Sequence, residues 1–520
     1  MKPFELYENN EDDASEPTRN KADPLSDSPE FSNPDKPAPN QETNDQLNPL
    51  DKIISQIGIG KYHYFIYITM GIFFICDGAE IIAISFLSVI LEELWDLTDN
   101  DIGTIGTAIF GGFFIGSLLS GLLAEKLGRR KLFFIATLLN FILCLISALA
   151  PNFQVMLISR ALYGIAQGII APLITSILTE ITPVHMRGKV MVIASGCFTI
   201  GEMLACLIVV IALNFDIEHN WRVLLLWSSA PAGLSFLIAC LVMKESPRFA
   251  IFKEFEFGLD ILSKINRFNK KEDLVLVAEE KQKLKEWLDL QKTAGPKVEG
   301  FWALLSPLNR WLSVKLWFMW FVLSFSYYGI VYVFPMALSA ESDAISSTKD
   351  VGNVFVSVLG EIPSYIICYL SIEHSGFGRK NSMILSYFVA GVACAISFCV
   401  TGWLFTTMIF FAKMAANAAF VFIYPYTSEV YHTKYRTTGI GVSSAMSRIG
   451  GAMMPWLALG AFQITPKMPF MLFGIACLFA SIVTWKLPYD TQGRALDQLP
   501  VDTKLEQKIQ ENEIQKPEIA

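Results

Sequence analysis

FFICDGAEIIAI, residues 73–84, places two acids in the middle of an apolar run. The run extends from about 62 to 91, longer than the roughly 20 residues that cross the hydrocarbon core of a bilayer. At about 1.5 Å per residue Asp77 falls near mid-depth, and Glu80, at i+3, shares its face. A carboxylate at that depth costs on the order of 3 kcal/mol on insertion scales, so it is expected to face a water-filled cavity or a partner. The stretch reads as a membrane span built around something polar.

Eleven further runs have the same character, at about 101–124, 131–150, 154–180, 188–213, 222–243, 312–338, 350–372, 381–401, 404–427, 437–462 and 468–487. The composition agrees: 52% of the 520 residues are hydrophobic and 17% charged, against about 25% charged in soluble domains. The expected fold is an all-α membrane protein of twelve transmembrane helices in two six-helix halves. The halves are 51–243 and 311–488, joined by a polar linker at 244–310 and flanked by tails at 1–50 and 489–520. The first 50 residues hold twelve acids, four bases and eight prolines. Such a segment buries too little to offset its ordering entropy and is expected to be a disordered acidic tail. LDQLPVDTKLEQKIQENEIQ in the C-terminal tail reads as a short amphipathic helix or as disorder. The linker alternates charge sign, as short salt-bridged surface helices do, and reads as a solvated spacer.

Lys and Arg in the short loops set the orientation. Loops after even-numbered spans carry ten, among them Arg129, Arg130, Arg187, Arg379, Lys380 and Arg436; loops after odd spans carry Arg222, Lys349 and Lys467. The even loops, the linker and both termini are therefore expected in the cytoplasm. The sequence does not specify which membrane, plasma or vesicular, the protein occupies.

The halves repeat. GRR at 128–130 returns as GRK at 378–380, and Glu180…Arg187 returns as Glu429…Arg436. Duplicated halves related by an axis along the membrane normal are a transporter architecture. Seven ionisable residues lie at mid-helix: Asp77, Glu80, Arg160, Glu202, Glu361, Lys413 and Arg448. They are the candidate substrate and proton sites. Arg does not deprotonate and suits a permanent clamp. Two carboxylates on one helical face in apolar surroundings resist joint ionisation, so Asp77 and Glu80 are expected to form a proton site in an aqueous cavity, the bland alternative being structural pairing with a base. If Arg160 and Lys413 stand unpaired in the cavity, organic anions are favoured; if both are bridged to acids, cations or zwitterions are.

Motifs quoted from the chain resemble the major facilitator superfamily. GLLAEKLGRRK (121–131) resembles its motif between helices 2 and 3, RALYGIAQG (160–168) its helix 4 pattern, and ESPRF (245–249) a signature of sugar porters and organic-ion transporters. GEIPSYI (360–366), YPYTSEVYHTKYRTTGIGVSSAMSRIGG (424–451) and CDGAEI (76–81) are similar to organic cation/anion/carnitine transporters, synaptic-vesicle-protein-related transporters and bacterial nicotinate-type porters. The resemblance implies secondary active transport of a small organic ion, proton-coupled, by a monomer in the lipid bilayer. The nicotinate-like look of helix 1 tilts that expectation towards anions. It also implies a cytoplasmic latch between the halves made by Glu125, Arg129, Arg130, Glu180 and Arg187, with Arg379, Lys380, Glu429 and Arg436 as the second copy. Within it Arg130 and Glu180 are expected to act together. Ser375 stands where the second copy's acid belongs, which is expected to weaken that copy.

No Gly-x4-Gly-Lys-Ser/Thr loop, metal-spaced His/Cys set or Gly-x-Ser-x-Gly elbow occurs. An ATP-driven pump, a metalloenzyme and a hydrolase are therefore unsupported. No enzyme activity, cofactor, metal or nucleic-acid partner is expected. The alternatives within reach are a transporter-like sensor or vesicle protein without net transport, and a sugar or phosphate porter.

Overall fold

The computed structural model describes residues 48–213, 217–269, 277–294, 301–307, 309–342, 348–371, 378–431 and 436–491. Among the described residues, twelve long helices occupy the expected places. They are α1 (Lys61–Leu94), α2 (Asp99–Leu127), α3 (Arg129–Ala148), α4 (Phe153–Ile181), α5 (Arg187–Leu213) and α6 (Ile217–Val242) in the first half. The second half holds α7 (Arg310–Ser342), α8 (Thr348–Leu359 and Glu361–Ser371), α9 (Arg379–Cys399), α10 (Trp403–Val430), α11 (Arg436–Phe462) and α12 (Met468–Trp485). Eleven are long and apolar enough to span a membrane. The twelfth, α11, is 27 residues long but dilutes its apolar content with Arg448 and several serines and glycines.

Small residues set how closely these helices pack. Gly112 and Gly116 of α2 face Gly164 and Gly168 of α4, and a Cβ at any of the four would strike backbone of the partner helix. The Arg-x3-Gly-x3-Gly pattern is thus a close-packing stripe, as in small-xxx-small membrane contacts. The break in α8 has a local cause. Pro363 has no N–H to return to the Leu359 carbonyl, and Gly360 N–H bonds instead to the Ser357 carbonyl at 3.2 Å. Glu361 becomes the first residue of the second half-helix.

The linker departs from the solvated spacer expected of it. Its helices Pro247–Lys253, Phe255–Phe268 and Ala278–Ala294 bury Ile251, Leu259, Ile261, Leu262, Ile265, Leu284 and Leu288 in one core with Tyr62 and Ile66 of α1. Asn269 accepts the Tyr62 N–H at 2.9 Å. Outward faces do carry the expected i,i+4 pairs, Lys264–Asp260 and Lys283–Glu279, each 2.6 Å. The acidic tail also ends sooner than expected. An amphipathic helix, Pro49–Ile57, begins within it and buries Leu50, Ile53, Ile54 and Ile57. The earlier tail and the C-terminal amphipathic stretch lie outside the described residues.

Gly128, between α2 and α3, has φ +88°, and a Cβ there would sit 2.5 Å from a Glu245 carboxylate oxygen. A left-handed conformation costs a side-chain-bearing residue roughly 1–2 kcal/mol. Gly128→Ala is therefore expected to lower the melting temperature of the purified protein, and an unchanged melt would show the turn to be adaptable.

Candidate functional site

Two layers of charge organise the molecule. The first lies where α2 turns into α3. The Glu245 carboxylate accepts the backbone N–H groups of Arg129 (2.8 Å) and Arg130 (3.1 Å). These are unpaired donors of the first turn of α3, where a negative charge is favoured. The Arg129 guanidinium reaches the Glu180 carboxylate at the end of α4, 2.9 Å away, and Ser246 donates to the same carboxylate.

The second half repeats this arrangement. Gly378 has φ +52°. Asp490 accepts the N–H groups of Arg379 (3.1 Å) and Lys380 (3.0 Å), and Arg379 pairs with Glu429 at 3.0 Å. Lys380 Nζ donates to the Leu487 carbonyl at 2.7 Å. Ser375 lies outside the described residues, yet the second-copy pair forms.

The latch therefore needs correction in three respects. Glu180 bonds Arg129, while Arg130 lays its guanidinium over the Phe134 ring, 5.1 Å from the centroid. Arg187, expected in the latch between the halves, pairs within the first half with Asp51 of the Pro49–Ile57 helix at 2.7 Å. Both Arg–Glu pairs lie within one half, so each fastens a half to itself and not to its partner. Glu125 is exposed in a surface recess with Lys126, Arg129 and Arg248. Arg436 opens α11. The capping acids Glu245 and Asp490 were not among the sequence candidates, although Glu245 stands in ESPRF and Asp490 ends the mirrored segment PYD (488–490). Arg129→Ala is expected to destabilise the protein by about 1–3 kcal/mol, the worth of a charged hydrogen bond at a largely shielded site. Arg130→Ala forfeits only about 0.5–1 kcal/mol of cation–π contact. Comparable losses in thermal unfolding would restore Arg130 to the latch.

The second layer lies at mid-depth, where the seven intramembrane charges sort into three groups. Arg160 and Glu80 form an ion pair with side chains 0% and 4% exposed. Glu80 also accepts from Ser228 of α6 at 2.9 Å, and Arg160 covers the Tyr163 ring. Asp77 and Glu80 share a helix face but take different partners. Asp77 accepts from Gln167 of α4 at 2.6 Å, and Gln167 accepts from Asn140 of α3 at 2.6 Å.

The second group is half-buried. Asp77 of α1, Arg448 of α11 and Tyr328 of α7 each retain partial exposure. The Arg448 guanidinium is near enough to act on Asp77 through space, and Tyr328 and Tyr424 stand beside it. Tyr328 packs with Phe110 (5.1 Å between centroids) and Phe420 (6.4 Å).

The third group joins the halves. Lys413 Nζ of α10 lies 2.5 Å from Glu202 of α5 and 3.2 Å from Glu361 of α8, all three side chains at most 1% exposed. Glu361 also accepts from Tyr327 (2.6 Å) and Thr199 (2.5 Å). Hydrogen bonds between the halves continue towards the loop joining α1 and α2. Ser85 donates to the Tyr332 carbonyl at 2.8 Å, Ser88 and Tyr332 hydroxyls meet at 2.9 Å, and Tyr332 reaches the Ile102 carbonyl at 3.4 Å.

Two helical halves around a charged centre define a membrane transporter of the major facilitator fold. Residues 53–502 match the family described as "Sugar (and other) transporter", and the chain belongs to that family. It is 28% identical to organic cation/carnitine transporter 7 of Arabidopsis thaliana, over 86% of this chain and 95% of that one. It is 25% identical to synaptic vesicle 2-related protein of Rattus norvegicus, over 86% and 82%. A solved structure of the proton:xylose symporter XylE superimposes with a TM-score of 0.65 at 19% identity, covering 84% of this chain and 98% of that one.

Proposed function

We propose that the chain is a secondary active transporter for a small organic ion bearing a positive charge, a cation or a zwitterion, driven by protons through alternating access. One observation carries the substrate class: both Arg160 and Lys413 are bridged to acids. The expectation of an organic anion required those bases to stand free, so the anion reading is set aside. What remains in the half-buried centre is one carboxylate, Asp77, and one guanidinium, Arg448, with aromatic rings beside them. Asp77 suits an ammonium, the rings of Tyr328 and Phe420 suit its alkylated form, and Arg448 suits a carboxylate on a zwitterion. The Arabidopsis relative's name, organic cation/carnitine transporter, falls in the same class.

The halves meet on the side of the α1–α2 loop, and the capped turns at Gly128 and Gly378 mark the opposite face. By the bias of Lys and Arg that opposite face is cytoplasmic, with both termini; the family resemblance adds that the protein works as a monomer. The test is uptake into liposomes holding the purified protein under an imposed pH gradient. Trimethylammonium-type cations and zwitterionic betaines of matched size are expected to be taken up or to compete. Uptake inhibited by carboxylate anions alone would overturn the assignment.

A further inference from the structure

The mid-depth seam between the halves holds two carboxylates against one ammonium. Glu202, Glu361 and Lys413 are shut from solvent, where an unbalanced charge is costly. Their hydrogen bonds are uneven. Glu361 takes Lys413, Tyr327 and Thr199 and opens a half-helix, where the backbone favours negative charge. Glu202 takes Lys413 on one oxygen. Its other oxygen, Oε1, is buried with no hydrogen-bond partner, and its carboxyl lies beside that of Glu361. One proton on Glu202 would balance the charge and turn the bare oxygen into a donor.

We infer that Glu202 is a proton-binding site that ties proton uptake to separation of the two halves. The inference rests on the transporter reading above and moves the coupling proton from the Asp77–Glu80 pair to the seam. Around Glu202 stand Lys413 of α10, Glu361 and Tyr365 of α8, Tyr327 of α7, and Thr199 and Cys206 of its own helix. α1 meets it through Gly78, which packs on the Phe198 carbonyl and the Glu202 N–H. Glu202 belongs to the first half, and Lys413 and Glu361 to the second. When Glu202 is ionised, its bond to Lys413 holds the seam shut. A proton from water on one face makes Glu202 neutral and leaves Lys413 balanced by Glu361 within its own half. The seam then parts without stranding a charge, and release of the proton to the other face closes it again. No covalent bond changes.

Infrared difference spectra of the full chain in nanodiscs, taken across a pH titration, test this without a substrate. The wild type is expected to show a protonated-carboxyl band that disappears at high pH. Glu202→Gln should lack it, while Asp77→Asn and Glu80→Gln should keep it. Spin labels at the exposed Ile193 and Ile366, one on each side of the seam, should separate at low pH in the wild type and show no pH dependence in Glu202→Gln. A band that survives Glu202→Gln, or is lost in Asp77→Asn or Glu80→Gln, overturns the inference. Should Glu202→Gln fail to fold, Glu202→Asp takes its place: it should shift the band or its pH midpoint, and an unshifted band overturns the inference. A titrating band in a protein that takes up no organic ion would defeat the transporter reading and leave the proton site standing; uptake with no such band would do the reverse.

Discussion

Arg160→Met is expected to abolish accumulation of folded protein, and the double variant Glu80→Leu/Arg160→Met to restore most of it. The pair crosses from α1 to α4 with almost no exposure. Removing the arginine strands Glu80 with Ser228 as its remaining strong donor. Breaking a buried pair from one side costs about 3–5 kcal/mol, a large part of the 5–15 kcal/mol that holds an ordinary domain together. Replacing both partners by apolar groups removes the stranded charge and is often close to neutral. Fluorescence-detected size-exclusion chromatography of tagged variants, followed by melting curves, reads the difference. A double variant as poor as the single one would show that this carboxylate is needed for more than balancing its arginine.

The sequence reveals the fold clearly and the site only partly. Twelve apolar runs separated by charged turns admit few arrangements, and the GRR and GRK repeats pointed to duplicated halves, though not to the acids that cap the turns at Gly128 and Gly378. Pairing between charges was not legible, because it depends on rotation of helices far apart in the chain. Asp77 and Glu80 are one turn apart and looked like one site. Yet a residue three positions on is rotated by roughly 60°, enough for Glu80 to meet α4 and α6 while Asp77 meets Gln167 and the centre. Arg129 and Arg130 are adjacent, so they point in different directions, and no pattern in GRR says which one turns towards Glu180. Gln167 carries no charge and so gives no sign of its role in the sequence, although it stands one residue before Gly168 of the α4 packing stripe.

In the transport cycle proposed above, the three mid-depth groups would divide the work among separate places. Glu80–Arg160 joins helices within one half and moves with that half as a unit. Glu202–Lys413–Glu361 spans the two halves and on that proposal would be remade in each cycle. Asp77 and Arg448 come one from each half, so the proposed substrate ion, lying between them, would be held by both. A substrate with charges at its two ends would favour the arrangement in which the halves close on it. That is how binding energy becomes motion.

Asp77→Asn is therefore expected to raise the half-saturating concentration of a cationic substrate by about 10- to 100-fold. That is the worth of a charged hydrogen bond of about 1.5–3 kcal/mol. The amide is of matching size and can still bond Gln167, so the helix packing survives and the loss falls on the substrate. Net uptake under a pH gradient and exchange of labelled for unlabelled substrate should decline together, since both need the bound ion. This differs from a proton site, whose loss spares exchange because exchange moves no net proton. Arg448→Gln separates the substrates: a zwitterion should lose affinity, while a cation with no carboxylate should bind as well or better once a like charge is gone. The assays are uptake and exchange in liposomes with one cation and one zwitterion of similar size. Asp77→Asn that keeps exchange at unchanged half-saturation, yet no longer concentrates substrate against its gradient, would return the proton to Asp77 and leave Glu202 as a structural tie.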